Sequence, residues 1–253
     1  MATIGTSAIE TQALVKAFAG FRAVDGVDLR FEAGLVHALV GPNGAGKTSL
    51  FNLLTGFLRP TAGRILLFGE DVTGFRPEAI ARRGVARSFQ ITSLFERITV
   101  REHVVLALQA RAREGYSFWR SGAALRRFDR SAGEILDQVG LGALAERLAG
   151  SLPYGQKRAL ELALALALEP RLLLLDEPTA GMGGEDIERT IELIRRVRTG
   201  RSVVLVEHNM GVVASLADRV TVLAQGRVLA EGPYDLVRQD PAVITAYLGA
   251  SHA

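Results

Sequence analysis

Apolar positions along the chain follow two rhythms. Short, mostly apolar runs, Leu35–Val40, Val85–Phe89, Leu172–Leu175, Ser202–Val206, Val220–Leu223 and Val228–Ala230, read as strands. A strand aliphatic on both faces is what a parallel sheet buried on both sides requires. Between these runs the spacing becomes helical: Leu50–Leu54, Pro77–Arg83, Thr99–Arg113, Glu185–Arg198 and Met210–Ala217. Thr99 with Glu102 three residues on is a capping-box signature, and Pro77 stands near a first helical position, where its missing N–H costs little. Strands alternating with helices predict an α/β fold.

Departures from that alternation divide the chain. Ala13–Phe18 and Val27–Phe31, joined by a turn around Gly20 and Gly26, read as a pair of strands, with a further strand at Arg64–Phe68 after the turn Arg59–Gly63. From Gln90 to Pro153 the sequence is rich in helical spacing, and this suggests an inserted lobe. Within it Glu114–Phe128 breaks the rhythm and reads as a loop or as part of that lobe, whereas Arg130–Val139 and Leu141–Leu148 read as helical. A Leu- and Ala-rich helix then runs to Leu168 and stops before Pro170; Tyr234–Arg238 and Pro241–Leu248 close the chain with helical segments. The expected division is one domain over 1–253: a core at about 9–90 and 154–249, a helical lobe at about 91–153, and a C-terminal helical tail at about 233–253.

Composition narrows the class. The longest aliphatic run, Leu162–Leu168, falls far short of the roughly 18 residues that a membrane span needs. Met1–Glu10 has neither a basic start nor an apolar stretch, so no secretory signal is expected. No cysteine is present, which excludes disulfides and thiolate metal sites and suits the cytosol. The net charge of +3 is carried almost wholly by arginine, in pairs such as Arg82-Arg83 and Arg195-Arg196 set among helical residues. Without interleaved aromatics these read as solvated helix faces, and no nucleic-acid partner is expected.

The chemistry concentrates in Gly41-Pro42-Asn43-Gly44-Ala45-Gly46-Lys47-Thr48-Ser49, which lies between a strand and a helix. The pattern G-x-x-x-x-G-K-[ST] in that context is a phosphate loop. Its glycines let successive N–H groups point inward, and the helix that follows adds unpaired N–H groups and the positive end of its dipole. Lys47 reaches the β- and γ-phosphates and the Thr48 hydroxyl is placed to ligate Mg²⁺, so a nucleoside triphosphate is the expected ligand. Asp176-Glu177 ends an aliphatic strand, where open α/β sheets bind ligands. Asp176 is placed to hold the metal's hydration shell and Glu177 to orient a water for in-line attack. His208 follows another strand end, within range of a γ-phosphate, and Gln90 follows a third, where its amide oxygen could reach metal or water.

Taken in order, Gly41–Ser49, Gln90, Leu152–Gln156, Leu172–Thr179 and His208 resemble the ATPase subunits of ABC transporters, a resemblance that runs from about Ala13 to Gly249. It implies a P-loop NTPase with a RecA-like core, an antiparallel β lobe and an inserted helical lobe, working with ATP and Mg²⁺. It also implies that two chains stack head to tail, each ATP closed between one phosphate loop and the partner's signature loop, here Leu152–Gln156. The N–H groups of Gly155 and Gln156, next to Tyr154, open a helix and could receive the γ-phosphate.

Carried over by the resemblance, Phe18 would stack on adenine, Gln90 would couple metal to the membrane partner, Glu177 would be general base and His208 the γ-phosphate switch. The chain departs from the family pattern at three places. Pro153 replaces the usual signature serine, Gly183 stands where an aspartate often sits, and Phe18 replaces the usual tyrosine.

Thr55-Gly56-Phe57, Arg87–Gln90, Leu94-Phe95, Pro178–Gly181 and Ala246–Gly249 resemble the branched-chain amino acid importers, and the long segment between Gln109 and Arg130 resembles the larger of their two ATPase types. That implies two permease subunits, a second ATPase (the same chain or a sister) and an external solute-binding protein, with this chain on the cytoplasmic face of the membrane. Two other readings are the ATPase of a lipopolysaccharide-type lipid exporter and a nucleotide-dependent regulator that does not hydrolyse.

Overall fold

The computed structural model describes residues 7–88, 94–112 and 122–249. Among them the chain begins with β1 (Ser7–Phe18) and β2 (Phe21–Glu32), antiparallel and paired from Phe18 opposite Phe21 to Ser7 opposite Glu32, with shifts of register along the way. Ala19 (φ 44°) and Gly20 (φ 90°) make the two-residue turn between them, and positive φ at both positions matches the twist of the strands. Both strands outrun the apolar stretches visible in the sequence, and Gly26 lies within β2 rather than in the connection. It sits at φ 65° where the pairing steps from Leu14–Val27 to Lys16–Val24, a bulge that re-aims the strand. The strand β4 (Ala62–Leu67) pairs with β1, and a short β5 (Glu70–Asp71), which has no apolar signal, pairs with β4.

The second sheet holds the α/β core. Its order is β10-β9-β3-β8-β7-β6, from β3 (Val36–Val40), β6 (Val85–Ser88), β7 (Leu172–Asp176), β8 (Ser202–Val206), β9 (Arg219–Ala224) and β10 (Arg227–Gly232). Every pairing in it is parallel except β9 with β10. Period-two alternation explains why these strands are apolar throughout. Leu172, Leu174, Val204, Val206 and Leu39 face the cluster shared with the antiparallel sheet, whereas Leu173, Leu175, Val203, Leu205, Ala38 and Val40 face the helices.

The helices are α1 (Lys47–Leu54), α2 (Pro77–Ala81), α3 (Val100–Arg111), α4 (Gly122–Gln138), α5 (Tyr154–Ala167), α6 (Gly184–Val197), α7 (Met210–Leu216), α8 (Tyr234–Val237) and α9 (Pro241–Gly249). The capping box expected at α3 forms in both directions: Thr99 Oγ1 accepts from Glu102 N at 3.1 Å and Glu102 Oε2 from Thr99 N at 2.6 Å. α3, α4 and α5 pack on one another, and all three lie between β6 and β7 in the chain. One expectation needs correction. Leu141–Leu148 is not an α-helix but holds one 3₁₀ turn at Gly142–Leu144, because the glycines at 140 and 142 interrupt the spacing. Of the irregular segment, the part from Gly122 onward is helix α4, in keeping with the second of its two readings.

His37 on β3 is 1% exposed, packed beside Phe31, and its Nε2 accepts from Glu32 N at 2.9 Å. Burial lowers its pKa from the usual 6.5 to about 4, with Arg219 adding to the effect and Glu32 opposing it. Between those two values the unfolded chain binds a proton that the folded chain refuses, so stability is complete above pH 6.5 and drains as pH falls toward 4. Wild type should lose about 2 kcal/mol more than His37→Gln between pH 7.5 and pH 5.0. Urea unfolding of both proteins at the two pH values measures that difference.

Candidate functional site

Gly41–Ser49 connects β3 to α1, and its backbone can follow this path only with glycine at the tight points. Gly41 (φ 147°), Gly44 (φ 78°) and Gly46 (φ 100°) occupy conformations that side chains disfavour. A Cβ on Gly41 would lie 2.1 Å from the Leu223 carbonyl oxygen, and one on Gly46 would lie 2.2 Å from that of Ala23. The loop is thus wedged between β9 and β2. One further bond holds it, Gly226 N donating to Ala45 O at 3.0 Å, and Gly226 O in turn accepts from Asp25 N of β2 at 2.9 Å.

No side chain caps the first turn of α1. Its N–H groups and dipole therefore face the concavity of the loop, a geometry suited to phosphate. Lys47 is 6% exposed and its ammonium donates to Gly41 O at 2.7 Å and Pro42 O at 2.9 Å, curled over the loop where phosphate oxygens could replace the two carbonyls. Desolvation pulls its pKa below the ordinary lysine value, against the opposing fields of Glu177 and Asp176. Thr48, one residue on, is exposed.

The carboxylates lie at the far end of β7. Asp176 is 4% exposed, and its Oδ2 accepts from Arg87 Nη2 of β6 at 2.5 Å. Arg87 also donates to Asn52 Oδ1 on α1 at 2.6 Å, with its guanidinium near the Phe51 and Phe57 rings. This half-buried arginine links the strand end to the helix that carries Lys47. In the sequence Arg87 stood only within a stretch of family resemblance, with nothing to show its carboxylate partner.

Glu177 takes φ 48°, a left-handed turn unusual for a glutamate, and this turns its carboxylate to His208, whose Nε2 lies 2.8 Å from Glu177 Oε1. Neighbouring strands β7 and β8 therefore bring Glu177 and His208 together, although thirty residues separate them in sequence. No cluster of three or more His, Asp or Glu able to cage a metal occurs among the described residues. A Thr hydroxyl with one carboxylate suits Mg²⁺ bound alongside phosphates, because that ion keeps several of its waters.

Phe18 ends β1 with 44% of its surface exposed and Lys16 Nζ 4.9 Å from its ring centre. Gln90, expected at the end of β6, lies outside the described residues. Tyr154, Gly155 and Gln156 form the first turn of α5 after Pro153, which offers no side-chain cap. Tyr154 Oη donates to Ala180 O at 3.2 Å, and Gly155 and Gln156 border a cavity of about 320 Å³ with Asp186 and Arg189 of α6. Among the described residues no hydrogen bond joins this turn to Gly41–Ser49, so within one chain the two anion-ready helix starts are separate.

A phosphate loop on a mixed core sheet, an antiparallel lobe beside it and a helical lobe between β6 and β7 together define an ATP-binding cassette. The chain belongs to the ABC transporter family, which matches residues 24–180, and it is the ATP-binding, ATP-hydrolysing unit of such a transporter. A second match, to the branched-chain amino acid ATP-binding cassette transporter, covers residues 227–253. The chain is 41% identical to the high-affinity branched-chain amino acid transport ATP-binding protein BraF of Pseudomonas aeruginosa, over 95% of this chain and 97% of that one. It is 39% identical to LivG of Escherichia coli, named for the same transport, with the same coverage. The solved structure of an ABC transporter cassette in its ADP conformation superposes with a TM-score of 0.84 at 28% identity, covering 96% of this chain and 99% of that one. No helix among the described residues is long and apolar enough to cross a membrane.

Proposed function

We propose that this chain powers the import of branched-chain amino acids or related small amino acids and amides. The observation that carries this reading is the match over 227–253 to the branched-chain cassette, since the core motifs belong to ABC transporters at large. In the proposed assembly two ATPase chains, alike or sister, sit on the cytoplasmic face beneath two permease subunits fed by an external binding protein. An open apolar groove of about 250 Å³ beside Phe57, Pro77, Ile80 and Leu168 offers a seat for a permease segment. The division of labour follows the residue boundaries given above: a core at 9–90 and 154–249, the helical lobe at 91–153 and the tail at 233–253.

The site residues then take these roles. Backbone N–H groups of Gly41–Ser49 and the Lys47 ammonium hold the β- and γ-phosphates, while Phe18 lies against adenine. Thr48, Asp176 and Gln90 would hold Mg²⁺, which would supply charge neutralisation on the phosphate oxygens. Glu177 takes a proton from a water whose oxygen bonds to the γ-phosphorus, the bond from that phosphorus to the bridging oxygen breaks, and ADP and inorganic phosphate leave. His208, held against Glu177, bonds the γ-phosphate. The partner's Tyr154–Gln156 turn covers the triphosphate from the other side, so binding joins the two chains and hydrolysis parts them.

Isolating the complex from membranes tests the importer reading. Permeases and leucine uptake that stops in Lys47→Ala are expected; co-purification with lipid-bridge proteins would point to the lipid exporter instead. A second test concerns Pro153. Restoring serine adds one hydroxyl at the first turn of α5, worth about 1 kcal/mol as a helix cap or as a bond to phosphate. In a Glu177→Gln background, Pro153→Ser should raise the ATP-dependent dimer fraction seen by sedimentation, and equal fractions would refute the gain.

A further inference from the structure

Glu207 carries no role in the mechanism above, yet it is the most fully engaged buried carboxylate described near the site. It is 3% exposed, at the end of β8 and immediately before His208. Its Oε1 accepts from Thr179 N at 3.1 Å and from Thr179 Oγ1 at 2.6 Å. Its Oε2 accepts from His208 N at 3.0 Å and from Asn209 N at 3.3 Å. An isolated buried carboxylate is costly, and this one is compensated by four donors that come from two separate loops. One loop follows β7 and carries Glu177; the other follows β8 and carries His208. These bonds join the two loops alongside Glu177 N to Val206 O at 2.9 Å and the Glu177–His208 contact itself.

We propose that Glu207 is a positioning residue, a buried clamp whose two oxygens hold the loop bearing Glu177 and the loop bearing His208 at the separation that lets those side chains meet. The geometry explains why a carboxylate is needed. Each oxygen faces donors only, two per oxygen, so an amide in its place would turn an NH₂ group toward N–H groups that it cannot accept from. Thr179 supplies two of the four donors, one of them a hydroxyl that valine lacks and serine retains. All four donors to the clamp are protein groups. Its influence reaches hydrolysis through placement of Glu177 and His208, where a displacement of about 1 Å is enough to cost on the order of a hundredfold in rate.

The role as clamp for hydrolysis rests on the proposed function; the geometric part does not. The test uses the full chain as wild type, Glu207→Gln, Thr179→Val and Thr179→Ser. Crystal structures read the Glu177–His208 separation, fluorescent ATP-analogue titration reads nucleotide affinity, and steady-state assays read kcat and KM. In Glu207→Gln and Thr179→Val the 2.8 Å contact should open and kcat should fall at least about tenfold, with nucleotide affinity and KM within about threefold of wild type. Thr179→Ser should restore both the contact and kcat.

A contact that stays closed in both disruptive variants would overturn the clamp. So would equal losses in affinity and kcat, which would mark a merely structural residue. Should Glu207→Gln fail to fold, the Thr179 pair still decides. Wild-type protein that binds nucleotide but never hydrolyses would sink the proposed function alone, and the crystal structures would still judge the clamp.

Discussion

Glu177→Gln is expected to cut ATP turnover by about a hundred- to ten-thousandfold, the range that a positioned general base contributes. Nucleotide binding should be kept, because in the proposed site the phosphate contacts come from Gly41–Ser49 and Lys47, whereas Glu177 meets His208. The amide preserves the size of the side chain and can still meet His208, so the left-handed turn at φ 48° need not change. What it loses is the ability to take a proton. Phosphate release by the membrane complex, beside analogue binding by the isolated chain, measures the two effects separately. Unchanged turnover would leave the chain a nucleotide-dependent regulator or move the base elsewhere. A trapped, ATP-bound dimer would in turn support closure of the site between two chains.

Gly46→Ala should be among the most damaging small substitutions in the described residues. The added methyl would lie 2.2 Å from the Ala23 carbonyl oxygen and 3.5 Å from Gly226 Cα, both backbone groups that cannot swing aside. It would also hold a β-carbon at φ 100°. Overpacking and left-handed strain together cost about 3 kcal/mol or more. Because Ala23 lies on β2, relief of the clash must push the antiparallel lobe away from the phosphate loop. Loss of nucleotide binding and a lower unfolding midpoint are therefore expected together. Gly44→Ala is the control: its φ is 78° but nothing lies within 4 Å, so it should cost only the conformational part, about 1–2 kcal/mol. Thermal unfolding and analogue titration of both variants provide the comparison. Equal behaviour would mean that the contact with Ala23 is not limiting.

The hierarchy of legibility follows from how far apart the cooperating residues are. The phosphate loop could be read directly, because its glycines, lysine and threonine act within nine consecutive positions flanked by a strand and a helix. The aliphatic strands were equally open to reading, since burial on both faces removes polar residues from every position. Strand ends could be located too, and with them Asp176, Glu177 and His208. Element ends fared worse where spacing met glycine. The 140–142 region lost its helix, and Gly26 sits in a bulge, because positive φ at a single residue changes a path that periodicity cannot show.

Pairings across the sheet were not readable at all. Nothing local to Arg87 announces Asp176, 89 residues away, and nothing in Glu207 announces Thr179, 28 residues before it. Each becomes a neighbour only because β6, β7 and β8 lie side by side in parallel and deliver their ends to one edge. Local backbone chemistry was therefore enough to place an anion-ready loop at Gly41–Ser49. Which charged groups oppose one another around it was settled by strand order, since partners brought together by a parallel sheet share an edge in space and leave no common stretch of chain.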